Sequence, residues 1–383
     1  MRRSPFAAFA GIFVVTLLSL MAVGAVLPVL PRYVRGPLDS GDVAVGVVVG
    51  CYALTGLAMR PFAGRLADHR GRRPTVVLGT MLAALAGLLY LLPTGLPGLI
   101  GARLVLGMGE GTVFTAGSAW IVDLAPPGRR GRVIGLYGLA VWSGLSIGPS
   151  IGEWLYHAAG FNLVWAFAAA APVLGGLAAL RIPDPFQPSP HAARGPLIAR
   201  ESIRPGFGLS LASVGYAAMA SFIVLDLQAQ GNSHGAIAFT VFAATVVLTR
   251  LLAGDLPDRV GPLRCAAGAA TVEALGLSLI ALATSLPLAI VGAAAMGTAF
   301  SLLYPSLSLV VVNRVPEARR GAALGTFTGF FDLGVGLGAP LAGVAAALGG
   351  YPAAFWLGAA CAVGTLSVAM ALRRAGAAAP AVG

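Results

Sequence analysis

The sequence predicts an all-α membrane protein of twelve spans, and three observations carry that prediction. Of its 383 residues, 57% are hydrophobic and 10% are charged, against about 25% charged in an ordinary soluble domain. Apolar stretches of about 20 residues, the length that crosses a bilayer as a helix, follow one another almost from end to end. The chain has no Lys, and its Arg residues gather in short connections between those stretches. A net charge of +11 distributed in this way is a topology signal. Soluble catalysis and nucleic-acid binding are disfavoured on the same grounds.

Taken in order, the first span covers 6–31, follows Arg2 and Arg3, and is too long for the apolar core of a cleavable leader. The second, 43–63, runs into the Arg-rich loop from Gly64 to Arg73, and the third, 74–93, begins at Pro74 and stops at Pro93. The fourth, 96–122, carries Arg103 and Glu110. The fifth, 132–156, starts after Arg129, Arg130 and Gly131, and the sixth, 161–180, stops at Arg181. A charged, Pro-rich stretch from Arg181 to Phe207 reads as a linker. Beyond it come 207–229, 235–255, 264–284, 287–312, 322–346 and 351–372. Backbone groups in hydrocarbon must be satisfied within the segment, and continuous apolar runs of this length suit helices rather than barrel strands. The expected division is an N-terminal six-helix bundle over 1–180, a linker over 181–206 and a C-terminal bundle over 207–383.

Arg32 and Arg35 fall in a loop on one side, Arg103 falls within a span, and the remaining Arg lie on or toward the opposite side. By the positive-inside rule both termini are cytoplasmic. The Lys-free, Ala-, Gly- and Arg-rich composition suggests a bacterial gene, hence the inner membrane. Cys51, Cys265 and Cys361 lie in or beside apolar runs and form no secreted-type framework, so packing roles are expected.

Laid against itself at an offset of 190 residues, the chain brings Arg60, Gly64, Asp68 and Gly71 onto Arg250, Gly254, Asp258 and Gly261. The same offset places Gly107 on Gly297, Pro126, Arg129, Arg130 and Gly131 on Pro316, Arg319, Arg320 and Gly321, and Gly144 and Gly148 on Gly334 and Gly338. Six spans per half is an even number, so both halves enter the membrane the same way and are related by an axis along its normal.

With these residues in view, the sequence resembles the major facilitator superfamily over nearly its whole length. The most specific element is the loop Gly64-Arg65-Leu66-Ala67-Asp68-His69-Arg70-Gly71-Arg72-Arg73, repeated more weakly as Gly254-Asp255-Leu256-Pro257-Asp258-Arg259-Val260-Gly261. Arg103 with Gly107, Met108, Gly109, Glu110 and Gly111 is similar to the family's intramembrane Arg-and-Gly motif, and Gly144, Gly148, Pro149 and Gly152 resemble the antiporter motif of drug:proton exporters. The resemblance implies two parallel six-helix bundles around a central cavity, with the third, sixth, ninth and twelfth helices outside it. It also implies a cytoplasmic gate built from Gly64, Asp68, Arg70, Gly71, Arg72, Arg73, Gly254, Asp258, Arg259 and Gly261, joined by Arg130 and Arg320. The first span has no acid, unlike some drug:proton exporters.

Physical readings stand beside these. Asp68 or Asp258 can sit against a helix N-terminus or a loop Arg such as Arg130 or Arg320, a latch contact worth about 0.3 to 1 kcal/mol and up to about 2 when partly buried. Arg65 and Arg72 read equally well as topology determinants. Gly144, Gly148 and Gly152 form a small-residue ridge for close helix packing, and Pro149 favours a bend.

A charge at mid-span costs about 2.5 to 3.5 kcal/mol, so each is a functional candidate. Arg103 and Glu110, about 10.5 Å apart along one helical face, are expected to face the cavity. Arg103 would there favour an ionised carboxylate or an anionic substrate, and Glu110 would exchange a proton. Asp332, mid-way along the eleventh helix, is a second proton candidate. Glu273 and Asp226 complete the set. A structural polar contact is expected for Glu273, whereas Asp226, like Glu153, falls late in an outward-running helix where a rim charge is expected. Phe114, Tyr137, Trp142, Tyr216 and Tyr304 are candidates to line a cavity for a hydrophobic or amphipathic compound, or to serve as core.

The function expected is secondary active transport by alternating access, exporting such a compound in exchange for protons. Proton-coupled uptake of a sugar or other metabolite is the alternative within the class, and a non-transporting receptor or lipid scramblase the alternative outside it. With no Lys, no P-loop can be built. No enzymatic activity, cofactor or metal is expected beyond the proton as coupling ion, and the partners are a small-molecule substrate and the bilayer, with the protein a monomer and no nucleic acid bound.

Overall fold

A computed structural model describes residues 5–124, 130–184, 199–232, 235–316 and 320–377. Among them all regular structure is helical: α1 (Pro5–Val26), α2 (Leu30–Arg35), α3 (Asp42–Arg70), α4 (Arg72–Tyr90), α5 (Gly95–Asp123), α6 (Arg130–Ala179), α7 (Ile203–Ala229), α8 (Ala236–Ala253), α9 (Leu256–Val260), α10 (Pro262–Ala281), α11 (Leu286–Val312), α12 (Arg320–Gly349) and α13 (Tyr351–Ala377), with one turn of 3₁₀ helix at Arg200–Ser202. Eleven stretches are long and apolar enough to cross a membrane. One of them belongs to α6, whose helical path breaks at Ala159 and at Gly160 (φ 71°). That break divides α6 into the predicted fifth and sixth spans, so the twelve-span fold stands. Large apolar side chains such as Leu252, Leu348 and Trp154 are exposed, as a lipid-facing surface requires.

One boundary differs from expectation. Arg32 and Arg35 were expected in a loop, yet they occupy α2, where Pro31 sits in the first turn. A Pro is tolerated there because the missing N–H has no helical acceptor.

The chain separates into two compact units, residues 1–40 with 51–194, and residues 41–50 with 195–383. The repeat seen in the sequence is reproduced within each unit as equivalent packing. In unit 1 a Cβ added to Gly148 would lie 2.7 Å from the Cα of Gly24 on α1; in unit 2 one added to Gly338 would lie 2.9 Å from the Cα of Val214 on α7. Gly107 of α5 packs on the Tyr52 carbonyl and Thr55 hydroxyl of α3, and Gly297 of α11 packs on the Phe242 carbonyl and Thr245 hydroxyl of α8. Every partner in these pairs is displaced by the same 190 residues. In both units, therefore, the small-residue ridges join the first and fifth helices, and the second and fourth, at backbone contact.

Gly71 (φ 102°) and Gly261 (φ 90°) turn the chain between α3 and α4 and between α9 and α10. Side chains rarely adopt that backbone region, which is why glycine stands at both equivalent positions.

Candidate functional site

Three groups of polar residues stand out, each inside one unit. The first lies at the Arg-rich end of unit 1. Arg72 donates from Nε to Asp123 Oδ2 at 2.9 Å and from Nη1 to Asp68 Oδ1. One half-buried guanidinium thus ties the end of α3 and the end of α5 to the start of α4. The backbone N–H of Arg73 donates to Asp184 at 2.9 Å, and Trp120 Nε1 to the Pro183 carbonyl at 3.2 Å, which fixes the segment after α6 to the same end. Asp68 was expected to meet a helix N-terminus or a loop Arg; it meets Arg72, one turn further on, because α3 continues to Arg70 and α4 starts only two residues later. The side chain of Arg130 lies outside the described residues. In unit 2 an ion pair joins Asp255 and Arg259 one turn apart, at positions the repeat offset places on Arg65 and His69 rather than on Asp68 and Arg72. Asp258, expected to match Asp68, is exposed and makes no ion pair with another described residue. Asp123 and Asp184 went unnoticed in the sequence because nothing local marks an acid at a span end as a partner of Arg72.

The second group is intramembrane. Arg103 is fully buried in α5, with its guanidinium 4.4 Å from the ring centroid of Tyr52 on α3. The Tyr90 hydroxyl, at the end of α4, lies within electrostatic reach of both Arg103 and Glu110. Tyr52 thus faces the arginine, and Tyr90 lies near both the arginine and the acid, which sit roughly two helical turns apart on α5. Arg103 was expected to face a cavity; its complete burial inside unit 1 corrects that, and the aromatic face of Tyr52 supplies a favourable environment for the charge. Nearer the Arg-rich end, Arg60 lies 4.7 Å over Phe114, and its repeat equivalent Arg250 donates to the Ser301 carbonyl at 3.0 Å.

The third group lies in unit 2. Asp332 of α12 is buried at 7% exposure beside Phe331, whose ring joins a cluster with Tyr216, Phe239, Phe242 and Phe300. Tyr216 is 3% exposed at the centre of that cluster, so it is core rather than lining. Tyr137, also 3% exposed, packs against Phe114 and Trp120 and is core as well. Tyr304 hydrogen-bonds Thr328 at 2.8 Å and is partly exposed, as are Phe114 and Trp142. Asp226 was expected at a rim but is 5% exposed, with Gln230 Nε2 donating to it at 3.1 Å. The structural polar contact expected for Glu273 is absent: neither carboxylate oxygen has a hydrogen-bond partner among the described residues.

Duplicated six-helix units, a repeated loop motif and buried charges along the spans are the marks of one transporter family, and its model, described as Major Facilitator Superfamily, matches residues 12–229 and 206–381. The chain belongs to the major facilitator superfamily.

The transporter is 34% identical over 368 residues to the uncharacterized MFS-type transporter STM4428 of Salmonella typhimurium, a match covering 93% of this chain and 94% of the relative. It is 34% identical over 348 residues to the uncharacterized MFS-type transporter YhhS of Escherichia coli, covering 87% and 84%. Among solved structures, the nucleoside transporter NupG superposes with a TM-score of 0.76 at 15% identity over 96% of this chain and 99% of its own. The human organic anion transporter MFSD10 (TETRAN) gives 0.74 at 18% identity, over 96% and 100%. At such identities the structural likeness shows the fold. Together these findings make the protein a multi-pass membrane transporter of a small-molecule substrate rather than an enzyme.

One pair in this transporter escaped the sequence reading. Arg32 Nη1 donates to both carboxylate oxygens of Glu153, at 2.9 and 2.8 Å, and His157 Nε2 lies 3.2 Å from the same carboxylate. Both ends of the ion pair are largely buried, and Tyr156 stands 5.4 Å from the Arg32 guanidinium. Glu153 is therefore engaged with α2, across 121 residues of sequence, and is not a simple rim charge.

Proposed function

We propose that the protein exports small hydrophobic or amphipathic compounds in exchange for protons, with Glu110 and Asp332 as the carboxyls that load and release the proton. The observation that carries this reading is the buried Arg103 guanidinium against the Tyr52 ring, with the Tyr90 hydroxyl within electrostatic reach of both Arg103 and Glu110. A buried cation costs insertion energy that packing alone would not require. Its positive charge, about two helical turns from Glu110 on the same helix, favours the ionised form of a carboxyl whose hydration changes during a transport cycle. Asp332, buried in the repeat-related unit, is the second site.

The Gly144, Gly148, Gly152 ridge with Pro149 sets the contact of α6 with α1 and supports the outward direction of transport. The Arg-rich ends face the cytoplasm, as do both termini, in a bacterial inner membrane. There the Asp68–Arg72–Asp123 pairs hold the gate end of unit 1 together, whereas Asp255–Arg259 is a local pair at one short helix of unit 2. The protein works as a monomer with no cofactor.

The test uses protein reconstituted in liposomes that contain a pH-sensitive dye, challenged with lipophilic cations, neutral drugs, sugars and organic acids. Compound-dependent proton movement that vanishes in Glu110→Gln or Asp332→Asn supports the reading. Full coupling retained in both variants refutes the assignment. Substrate accumulation with the proton gradient would establish uptake instead.

A further inference from the structure

Glu273 occupies a place where the fold asks for no acid. At the offset that relates the two units, its counterpart is Ala83, a buried residue of α4 packed against Gly109 of α5. Unit 1 fills the equivalent position with a methyl group. Unit 2 puts there a carboxyl group with 0% exposure, mid-way along α10.

Space for it comes from the neighbouring glycines. A Cβ on Gly215 of α7 would lie 3.1 Å from Glu273 Oε1 and 2.6 Å from Leu277, and one on Gly358 of α13 would lie 2.9 Å from the Gly215 Cα. The carboxyl therefore sits where α7, α10 and α13 close on one another, with Met296 of α11 also reaching Gly215. Neither oxygen finds a hydrogen-bond donor among the described residues. An ionised carboxylate in such a place is far more costly than a neutral acid, because charge must be solvated or paired whereas a neutral hydroxyl and carbonyl lose only hydrogen bonds.

The titratable and charged groups on the elements packed around it offer no counter-charge. Among the described residues Cys361 of α13 lies within electrostatic reach, and it carries no positive charge. On α7, Tyr216 lies in the aromatic cluster and Asp226 is held by Gln230; on α11, Tyr304 is bound to Thr328. On α9, Arg259 pairs with Asp255 and Asp258 is exposed; on α13, Arg373 and Arg374 are exposed at the far end of the helix, as is Arg264 at the start of α10.

We propose that Glu273 is a proton-binding site of unit 2, distinct from Glu110 and Asp332, loaded while α7, α10 and α13 are packed together and emptied when those helices part. On release the carboxyl O–H bond breaks, the proton passes to water admitted between the helices, and a carboxylate remains that prevents the helices from closing until it is protonated again. The site therefore couples proton binding to the packing of unit 2, without requiring the substrate to touch it.

The experiment is infrared spectroscopy of the purified, reconstituted protein across a pH series, combined with amide hydrogen exchange over 207–219 and 355–365, corrected for the intrinsic effect of pH. The expected result is a C=O stretch at the high frequency of a carboxylic acid free of hydrogen bonds. This band is absent in Glu273→Gln and is lost from the wild type at alkaline pH in step with faster exchange in both segments. Glu273→Gln, which keeps the shape of the neutral acid, is expected to fold and to lose the pH response of exchange.

Absence of the band from the wild type at neutral pH overturns the proposal, and so does an exchange response to pH that is the same in Glu273→Gln as in the wild type. Should Glu273→Gln fail to fold, Glu273→Ala, which installs the residue found at the equivalent position 83, assigns the band in its place. Neither measurement uses a substrate or a proton gradient. Failure here leaves the coupling roles of Glu110 and Asp332 standing, and their failure in liposomes leaves this site standing.

Discussion

Replacing Gly148 with alanine presses directly on the contact between α6 and α1. The added Cβ would lie 2.6 Å from the Met21 carbonyl oxygen, 2.7 Å from the Gly24 Cα and 2.8 Å from the Ala25 nitrogen, all of them backbone atoms that no rotamer change can remove. Ordinary contact begins near 3.4 Å, so the helices must separate by about 0.8 Å along this ridge, a disturbance in the range of about 1 to 3 kcal/mol for overpacking. Gly338→Ala, the equivalent change in unit 2, meets the Val214 Cα at 2.9 Å and a mobile Val214 methyl at 3.1 Å, and needs about 0.5 Å, so its cost falls at the lower end of that range. Gly268→Ala on α10 is the control: nothing lies within 4 Å of the added Cβ, and helix propensity favours alanine by about 1 kcal/mol. Thermal unfolding in detergent should rank the midpoints Gly148→Ala lowest, then Gly338→Ala, then wild type and Gly268→Ala. If Gly148→Ala unfolds at the same temperature as Gly268→Ala, the ridge is not the close contact described, and the repeat argument built on it fails.

Arg32→Met leaves the buried Glu153 carboxylate without its main partner and should cost about 3 kcal/mol, whereas Arg32→Met combined with Glu153→Leu should recover most of it; chemical or thermal unfolding of the three proteins checks the pair. Asp68 and Asp123 are about two-fifths exposed, so Arg72→Gln should cost only about 1 to 2 kcal/mol and Asp123→Asn about half of that. Both differences should shrink at high salt, which unfolding at two ionic strengths measures. Gly71→Ala and Gly261→Ala impose a left-handed conformation on a side chain and should each cost about 1 kcal/mol or more, read as lowered unfolding midpoints with the helices intact by circular dichroism.

Much of this protein follows from local sequence, for a physical reason. Hydrocarbon imposes a helix of fixed minimum length on any apolar run that crosses it, so span number and fold class are written in hydropathy alone. The repeat is legible for a similar reason: backbone contacts such as Gly107 on Tyr52 and Gly297 on Phe242 tolerate only small residues, and they leave glycines at one constant offset. What the tertiary structure decided is who meets whom. Arg32 finds Glu153 across 121 residues, Arg72 finds Asp123 across 51, and the ring of Tyr52 on α3 meets the Arg103 guanidinium on α5. Asp226 is buried by neighbours that are distant in sequence, so helical position alone placed it wrongly, and the same burial selects the core role for Tyr137 and Tyr216 that the sequence left open beside a cavity role. Glu273 shows the difference most sharply. Its sequence shows an acid in mid-span, but only the packing of Gly215 and Gly358 around it reveals a carboxyl with room to exist and no hydrogen-bond donor among the described residues, because hydrogen-bond satisfaction is a property of the assembled helices and not of any one of them.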